Sequence, residues 1–310
     1  MSGPKSAILL LAHGSPDSPA DIPEFMKYIT GGRPVPDAVM KEVTHRYSLI
    51  GKSPLTEITM QQAEALQAKL GLPVYVGMRN WRPFIRDAVQ QMVSSGINRV
   101  VAICLAPQNS STSVGLYLKV LADEYKPGMA VRFVESWHDQ PLLVQAFAER
   151  LEPVWQQASA EMGNALPVIF TAHSVPMRTI SAGDPYEKQV KETAQLVGQR
   201  IMGLKPELQH FAFQSQGMSG GPWLGPTVES AMLEQKRQGH KGVVIAPIGF
   251  VCDHVEVLYD IDINFRQFAH EQQLKLWRPE SLNTSPTFIA ALARLASTRL
   301  ALALGIVSLA

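Results

Sequence analysis

Short apolar runs alternate with longer amphipathic stretches along the chain. In the stretch 186–201, Val190 and Ala194 fall at helical spacing, with charged residues between them on the opposite side. The apolar runs have the length and continuous apolar character of strands buried in a parallel sheet. These predicted strands are AILLLA, PVYVGM, RVVAICLAP, AVRFVES, PVIFTAHS, HFAFQS and KGVVIAPIGF. The pattern predicts an α/β protein with parallel strands and helical crossovers.

Two of the apolar runs end in the same phrase. Each run ends in Ala-His, followed by a small residue and then a nearby proline. The histidine is His13 in ILLLAHGSP and His173 in VIFTAHSVP. Each unit is followed later by a strand that ends in Ala-Pro, in CLAPQNSSTS and VIAPIGFVCDH. The repeat predicts two similar α/β domains, residues 1–150 and residues 151–310.

A helix is predicted at the end of the second domain. Ser285 is a candidate cap, and Pro286 falls in the first turn, where its missing N–H costs little. The predicted apolar stripe of this helix is Phe288, Leu292, Leu295 and Leu302.

Composition and charge narrow the classes of function. Among 310 residues, 46% are apolar and 18% charged, which is typical of a globular protein. The formal net charge is +1 and the basic residues are dispersed, so nucleic acid is not an expected partner. Cys104 and Cys252 lie far apart in apolar surroundings, without the spacing of a zinc site or the thiolates of an iron–sulfur cluster. They are predicted to be reduced thiols in a cytoplasmic protein.

Neither apolar end of the chain predicts stable membrane insertion. The first run, Ala7–Ala12, is shorter than the hydrophobic region of a signal peptide and leads directly into His13. The run at residues 300–310 has about half of the roughly 20 residues that span a bilayer as a helix. A weak contact of this run with a membrane surface stays open.

The candidate chemistry lies directly after the predicted strands. Ligands of parallel α/β sheets bind beyond the carboxyl ends of the strands, where His13, His173 and the segment 249–264 are expected. That segment, GFVCDHVEVLYDIDIN, includes Glu256 and Asp260 at i and i+4 of a predicted helix. An imidazole and a carboxylate suit Fe²⁺, Zn²⁺ or Co²⁺, and the same pair could accept protons.

The same histidines and acids could instead have a purely structural role. A histidine after a strand is commonly a hydrogen-bonding loop or capping residue, and an acidic cluster is commonly a solvated helix face. The apolar residues interleaved with the acids argue against a purely solvated face. His254 is interpreted as a core or supporting histidine rather than a metal ligand, because it points away from Glu256 on a helix.

With these residues placed, the chain resembles the ferrochelatases, especially the short bacterial form that inserts iron into coproporphyrin III. The resemblance covers about residues 7–300. It rests on TAHSVP at 171–176, GDPY at 183–186, QSQG at 214–217, PWLGPTVE at 222–229, GFVCDHVEVLYDID at 249–262 and RYSLIGKSPL at 46–55.

The resemblance implies two Rossmann-like, chelatase-type domains with a porphyrin cleft between them. It also implies Fe²⁺ as substrate, no organic cofactor and a monomeric protein. The family's metal-handling pair falls on His173 and Glu256, with Asp260 and His254 as supporting residues. The residues that hold the porphyrin and its propionates fall on Arg46, Tyr47, Ser53 and Tyr117.

The chain departs from the family pattern at three positions. His13 replaces a tyrosine that can ligate iron, which implies a possible axial ligand, and the phrase AHGS also resembles the sirohydrochlorin chelatases. Thr30 replaces an arginine, with Arg33 close by, and Asn264 replaces a glutamate. Two alternatives stay open: a protoporphyrin IX ferrochelatase, and a non-catalytic tetrapyrrole carrier with His13 as axial ligand.

Overall fold

The computed structural model describes residues 5–124, 126–216 and 221–303. The chain divides into two compact units. Unit 1 consists of Met1–Pro107, Ser113–Trp137 and Asn283–Ala310, and unit 2 consists of Gln108–Thr112 and His138–Leu282.

Unit 1 is built on a parallel sheet with the strand order β2-β1-β3-β4. The strands are β1 (Ser6–Ala12), β2 (Val74–Met78), β3 (Arg99–Cys104) and β4 (Ala130–Val134). The crossovers hold α1 (Ile22–Thr30), α2 (Asp37–Ile50), α3 (Leu55–Leu70), α4 (Ile85–Ser94) and α5 (Val114–Asp123). The residues of β1 from Ala7 to Leu11 are fully buried, because helices cover a parallel sheet on both faces.

Unit 2 repeats this topology with the order β6-β5-β7-β8, again parallel. The strands are β5 (Val168–His173), β6 (Gln209–Gln214), β7 (Gly242–Pro247) and β8 (Lys275–Trp277). The α-helices are α6 (Pro141–Met162), α7 (Met177–Ser181), α8 (Tyr186–Gly198), α9 (Val228–Arg237), α10 (Val255–Leu258) and α11 (Arg266–Glu271). A π-helical segment, Asp260–Phe265, lies between the last two.

The predicted α/β class, the seven predicted strands and the repeat are confirmed. The two sheets share one strand order, with the Ala-His phrases at the ends of the equivalent strands β1 and β5. In α8, Val190 and Ala194 are buried as the spacing predicts. The strand β8 was not predicted, because it has three residues including an exposed lysine and lacks the apolar run of a central strand.

The last helix, α12 (Pro286–Ala303), begins as predicted but belongs to the other unit. The Phe288 N–H donates to Ser285 Oγ over 3.2 Å. Phe288 and Leu292 are fully buried, and the Phe288 ring stacks on Trp137 of unit 1 with the centroids 6.1 Å apart. An amphipathic pattern specifies that a face is buried but not which sheet covers it. The side chain of Leu302 and the run 304–310 lie outside the described residues.

The predicted boundary at residue 150 also differs from the structure. It would cut α6 (Pro141–Met162) in the middle, whereas the units change at Trp137 and His138. Across the described ranges, every helix is too short or too polar to cross a membrane.

Both cysteine thiols are buried, and we expect them to react slowly in the native protein. Burial raises the pKa of Cys104 and of Cys252 to about 12. Since the thiolate is the reactive form, the native thiols should react with Ellman's reagent at least ~100-fold more slowly than in concentrated guanidinium chloride. Absorbance of the released thiolate measures both rates, and equal rates would contradict this expectation.

Candidate functional site

His173 occupies the last position of β5, and its ring has a defined orientation. Nδ1 donates a hydrogen bond to the backbone oxygen of Ser174. A carbonyl oxygen only accepts, so Nδ1 carries the proton of the neutral ring and Nε2 presents its lone pair. Nε2 lies 3.7 Å from Glu256 Oε1. The lone pair of the imidazole therefore lies next to a carboxylate.

Glu256 reaches this position through a tightly packed loop after β7. A Cβ atom added to Gly249 would lie 2.6 Å from the Cβ of Ala172, the residue before His173, so only glycine permits this approach. The Gly249 N–H donates to the Thr171 oxygen over 3.2 Å. The side chains of His173 and Glu256 are 37% and 29% exposed, which leaves the pair accessible from solvent.

The other acids of the segment 249–264 have different partners. Arg278 contacts Asp262 through Nη2 at 2.5 Å and Asp253 through Nη1 at 3.4 Å. Asp260 is buried and accepts a hydrogen bond from the hydroxyl of Ser215. The structure thus separates Glu256, which faces His173, from acids that serve packing and charge pairing.

The single helix predicted for Glu256 and Asp260 is wrong. The α-helix α10 ends at Leu258, and π-helical geometry begins at Asp260. A π-helical segment has a different number of residues per turn, so regular i, i+4 spacing does not carry over. Amphipathic periodicity in the sequence does not distinguish the two helix types over so short a segment.

His254 lies at the N-cap of α10 and is partly buried within unit 2. Its Nδ1 donates to the Cys252 oxygen over 3.0 Å, and its ring lies 4.7 Å from that of Phe250. Desolvation by burial lowers the pKa of His254, with Glu256 acting in the opposite direction. The ring is therefore neutral near pH 7.

His13, at the end of β1, has the same ring orientation as His173 but a different neighbour. Its Nδ1 donates to the Gly14 oxygen over 2.9 Å, so Nε2 accepts from the Asn80 amide at 2.9 Å. Gly14 has φ +85°, and a Cβ there would lie 2.8 Å from the Cβ of Trp81. Ligation of iron by His13 would require Nε2 to exchange the Asn80 amide for the metal.

The predicted porphyrin-binding residues lie on helices of unit 1 and the loop between them. On α2, Arg46 pairs with Glu42 at 2.8 Å and Tyr47 is buried. Ser53 is buried before α3, and its Oγ is 3.5 Å from the Leu55 nitrogen. Tyr117 is buried on α5 beneath the guanidinium of Arg79, which lies 5.3 Å from the ring centroid.

Three further residues, which the sequence did not single out, hold His13, His173 or Glu256 in place. Tyr186 donates from its hydroxyl to the His173 oxygen over 2.9 Å, and Gln214 contacts the backbone of Glu256. Asn80 holds His13. Two features of the sequence could have indicated these residues. Gln214 is the first polar residue after the apolar part of HFAFQS, and Tyr186 belongs to the phrase GDPY.

The pair of His173 and Glu256 offers a nitrogen and a carboxylate donor, which borderline divalent metals accept. Within residues 5–124, 126–216 and 221–303, groups of three or more histidine, cysteine or acidic residues arranged to hold a metal ion are absent.

Solved structures define the class of fold. The sirohydrochlorin chelatase SirB from Bacillus subtilis, in complex with cobalt, matches with a TM-score of 0.57 and 13% identity over 94% of each chain. CbiX, the terminal enzyme of sirohaem biosynthesis in denitrifying bacteria, matches with a TM-score of 0.52 over 94% of this chain and 98% of its own. The fold is that of the chelatases.

Sequence comparisons define the family. A ferrochelatase family model matches residues 5–300. A ferrochelatase of Acidobacterium capsulatum is 53% identical, over 96% of this chain and 95% of its own. A coproporphyrin III ferrochelatase of Geobacillus is 35% identical, over 97% of this chain and 100% of its own. The chain belongs to the ferrochelatase family and is a metal-insertion enzyme of haem biosynthesis that acts on a porphyrin.

Proposed function

We propose that the protein inserts Fe²⁺ into coproporphyrin III to form Fe-coproporphyrin III. The observation that carries the chemistry is the His173 Nε2 lone pair 3.7 Å from the Glu256 carboxylate. The choice of coproporphyrin is supported by the full-length similarity to the coproporphyrin III ferrochelatase of Geobacillus.

In the proposed reaction, Fe²⁺ replaces the two pyrrole N–H protons of the free-base porphyrin. Binding of the macrocycle and its propionates distorts the ring, so that the pyrrole nitrogens expose their lone pairs. His173 accepts the two pyrrole protons in turn at Nε2 and passes them to solvent, or it binds the metal there while solvent takes the protons. Glu256 neutralises the ion as it loses water. Asp260, which is held by Ser215, and His254, at the N-cap of the helix that contains Glu256, support this pair.

The substrate's carboxylates are assigned to unit 1. We propose that Arg46, Tyr47, Ser53 and Tyr117 hold the porphyrin and its propionates, because guanidinium and hydroxyl groups donate charge-assisted hydrogen bonds to carboxylates. Arg46 would exchange Glu42 for a propionate, since both present the same chemical group. His13 would be an axial ligand after release of Asn80. We further propose that the protein acts as a monomer in the cytoplasm.

Substrate preference tests the proposal. Coproporphyrin III carries propionates where protoporphyrin IX carries vinyl groups, and one charge-assisted hydrogen bond contributes about 1.5 kcal/mol or more. We therefore expect kcat/KM for anaerobic Fe²⁺ insertion to be roughly tenfold or more higher with coproporphyrin III. Porphyrin absorbance and fluorescence follow the reaction, and Glu256→Gln should slow both substrates without changing the preference.

Two other results would favour the protoporphyrin IX ferrochelatase or the non-catalytic carrier instead. A preference for protoporphyrin IX would identify a protohaem-forming enzyme. Tight haem binding without insertion into either porphyrin, unaffected by Glu256→Gln, would identify a carrier.

A further inference from the structure

Gln214 is a buried polar residue at the end of β6, directly opposite His173 in the sheet register. Its side chain is almost completely enclosed, with 2% exposed. Its backbone oxygen accepts from the N–H of Ser174, the residue after His173, over 2.7 Å. Gln214 is therefore fixed to the strand that ends in His173.

The amide of Gln214 links that strand to the segment of Glu256. Oε1 accepts from the hydroxyl of Thr171, two residues before His173, over 2.8 Å. Nε2 donates to the backbone oxygen of Glu256 over 2.9 Å. A carbonyl oxygen only accepts, so the opposite amide orientation would place two oxygens against each other. One orientation of the amide satisfies both partners.

We propose that Gln214 is a positioning residue that sets the separation between His173 and Glu256 for the incoming metal ion. This inference rests on the proposed function of that pair. Two ligands bound at about 2.1 Å to one tetrahedral ion lie about 3.4 Å apart. The observed separation of 3.7 Å between Nε2 and Oε1 is close to this value. A displacement of either backbone that widens this separation would therefore weaken simultaneous contact with the ion.

The neighbouring residue holds the next acid of the segment. Ser215 has φ +59°, which is uncommon for a residue other than glycine, and its hydroxyl donates to Asp260. Consecutive side chains at the end of β6 thus contact the segment at Glu256 and at Asp260. Both contacts fix the acidic segment to the same strand end.

Gln214→Met tests the inference because it keeps the approximate volume and removes both side-chain hydrogen bonds. We expect KM for the metal to rise about tenfold or more, as is typical when partners of metal ligands are removed. The dissociation constant of coproporphyrin III, measured by fluorescence without metal, should stay within about twofold, since Gln214 holds the metal-handling pair. Insertion of Zn²⁺, which has no redox chemistry, provides the kinetic assay.

Gln108→Met is the matched control. Gln108 is equally buried in unit 2, at 2% exposed, and its Nε2 donates to Thr193 Oγ1 and to the Ile248 oxygen over 3.1 and 3.3 Å. We expect a comparable fall in melting temperature without a change in the metal KM. A loss of stability alone would lower the active fraction in both variants and would leave KM unchanged in both.

Thr171→Val provides a second variant should Gln214→Met fail to fold. It removes only the hydroxyl that orients the Gln214 amide, and we expect a severalfold rise in the metal KM. If both variants fold and their metal KM is unchanged, the inference about Gln214 is wrong. The proposed function would still hold if the wild-type protein inserts metal and His173→Ala does not. Absence of insertion by the wild-type protein would overturn the proposed function as well.

Discussion

His173→Ala is expected to lower kcat for metal insertion by about 10²–10⁴-fold, the range typical of a lost general acid–base group. The substitution removes the Nε2 lone pair that lies 3.7 Å from Glu256. Affinity for coproporphyrin III should change little, because the proposed propionate partners belong to other residues. Anaerobic insertion assays measure kcat, and quenching of protein fluorescence measures porphyrin binding.

His138→Ala provides the control for this variant. His138 belongs to the same unit and forms another histidine–carboxylate pair, with Nε2 3.1 Å from Glu192 Oε2. It lies after β4 rather than at the end of β5. We expect this variant to keep insertion activity near the wild-type level. Near-normal turnover by His173→Ala would exclude the proposed mechanism.

Arg278→Met is expected to cause the largest loss of stability, about 3 kcal/mol, because it leaves two partly buried carboxylates without their shared cation. The Arg278 side chain is 11% exposed and contacts both Asp253 and Asp262. For a unit of this size, such a loss corresponds to a fall in melting temperature of roughly 6–12 °C. Circular dichroism at pH 7 measures the transition.

Arg266→Met is the matched control for Arg278→Met. Arg266 approaches the same carboxylate, with Nη2 3.9 Å from Asp262 Oδ1, but its side chain is 53% exposed. Exposed pairs typically contribute about 1 kcal/mol or less. Equal losses of stability in the two variants would contradict the assignment of Arg278 as the residue that neutralises Asp253 and Asp262.

The acids of the segment 249–264 differ in their partners, and this difference separates Glu256 from the others. Asp253 and Asp262 are neutralised by Arg278, and Asp260 accepts from Ser215. Glu256 lies beside the imidazole of His173, with Nε2 3.7 Å from its carboxylate, rather than beside a guanidinium. A carboxylate in such surroundings can respond to an arriving cation, whereas one already paired with a guanidinium cannot do so without losing its partner.

The sequence by itself determined the class of fold and the repeat, and it predicted His173 and Glu256 as a candidate site. Buried parallel strands are continuous apolar runs, so seven strands could be predicted, and the repeated Ala-His phrase marked equivalent strand ends. Strand-end position, residue chemistry and family motifs predicted His173 and Glu256, and the structure places Nε2 of the histidine 3.7 Å from the carboxylate.

Only the tertiary structure decided which partner each side chain has. Arg278 neutralises acids far from it in sequence, Gln214 links two separate segments, and α12 packs in unit 1 rather than unit 2. The spacing of apolar residues indicates which face of an element is buried. A contact between residues distant in sequence produces no such spacing. Hydrogen bonds and ion pairs depend on distances of a few ångströms, and only the folded chain sets those distances.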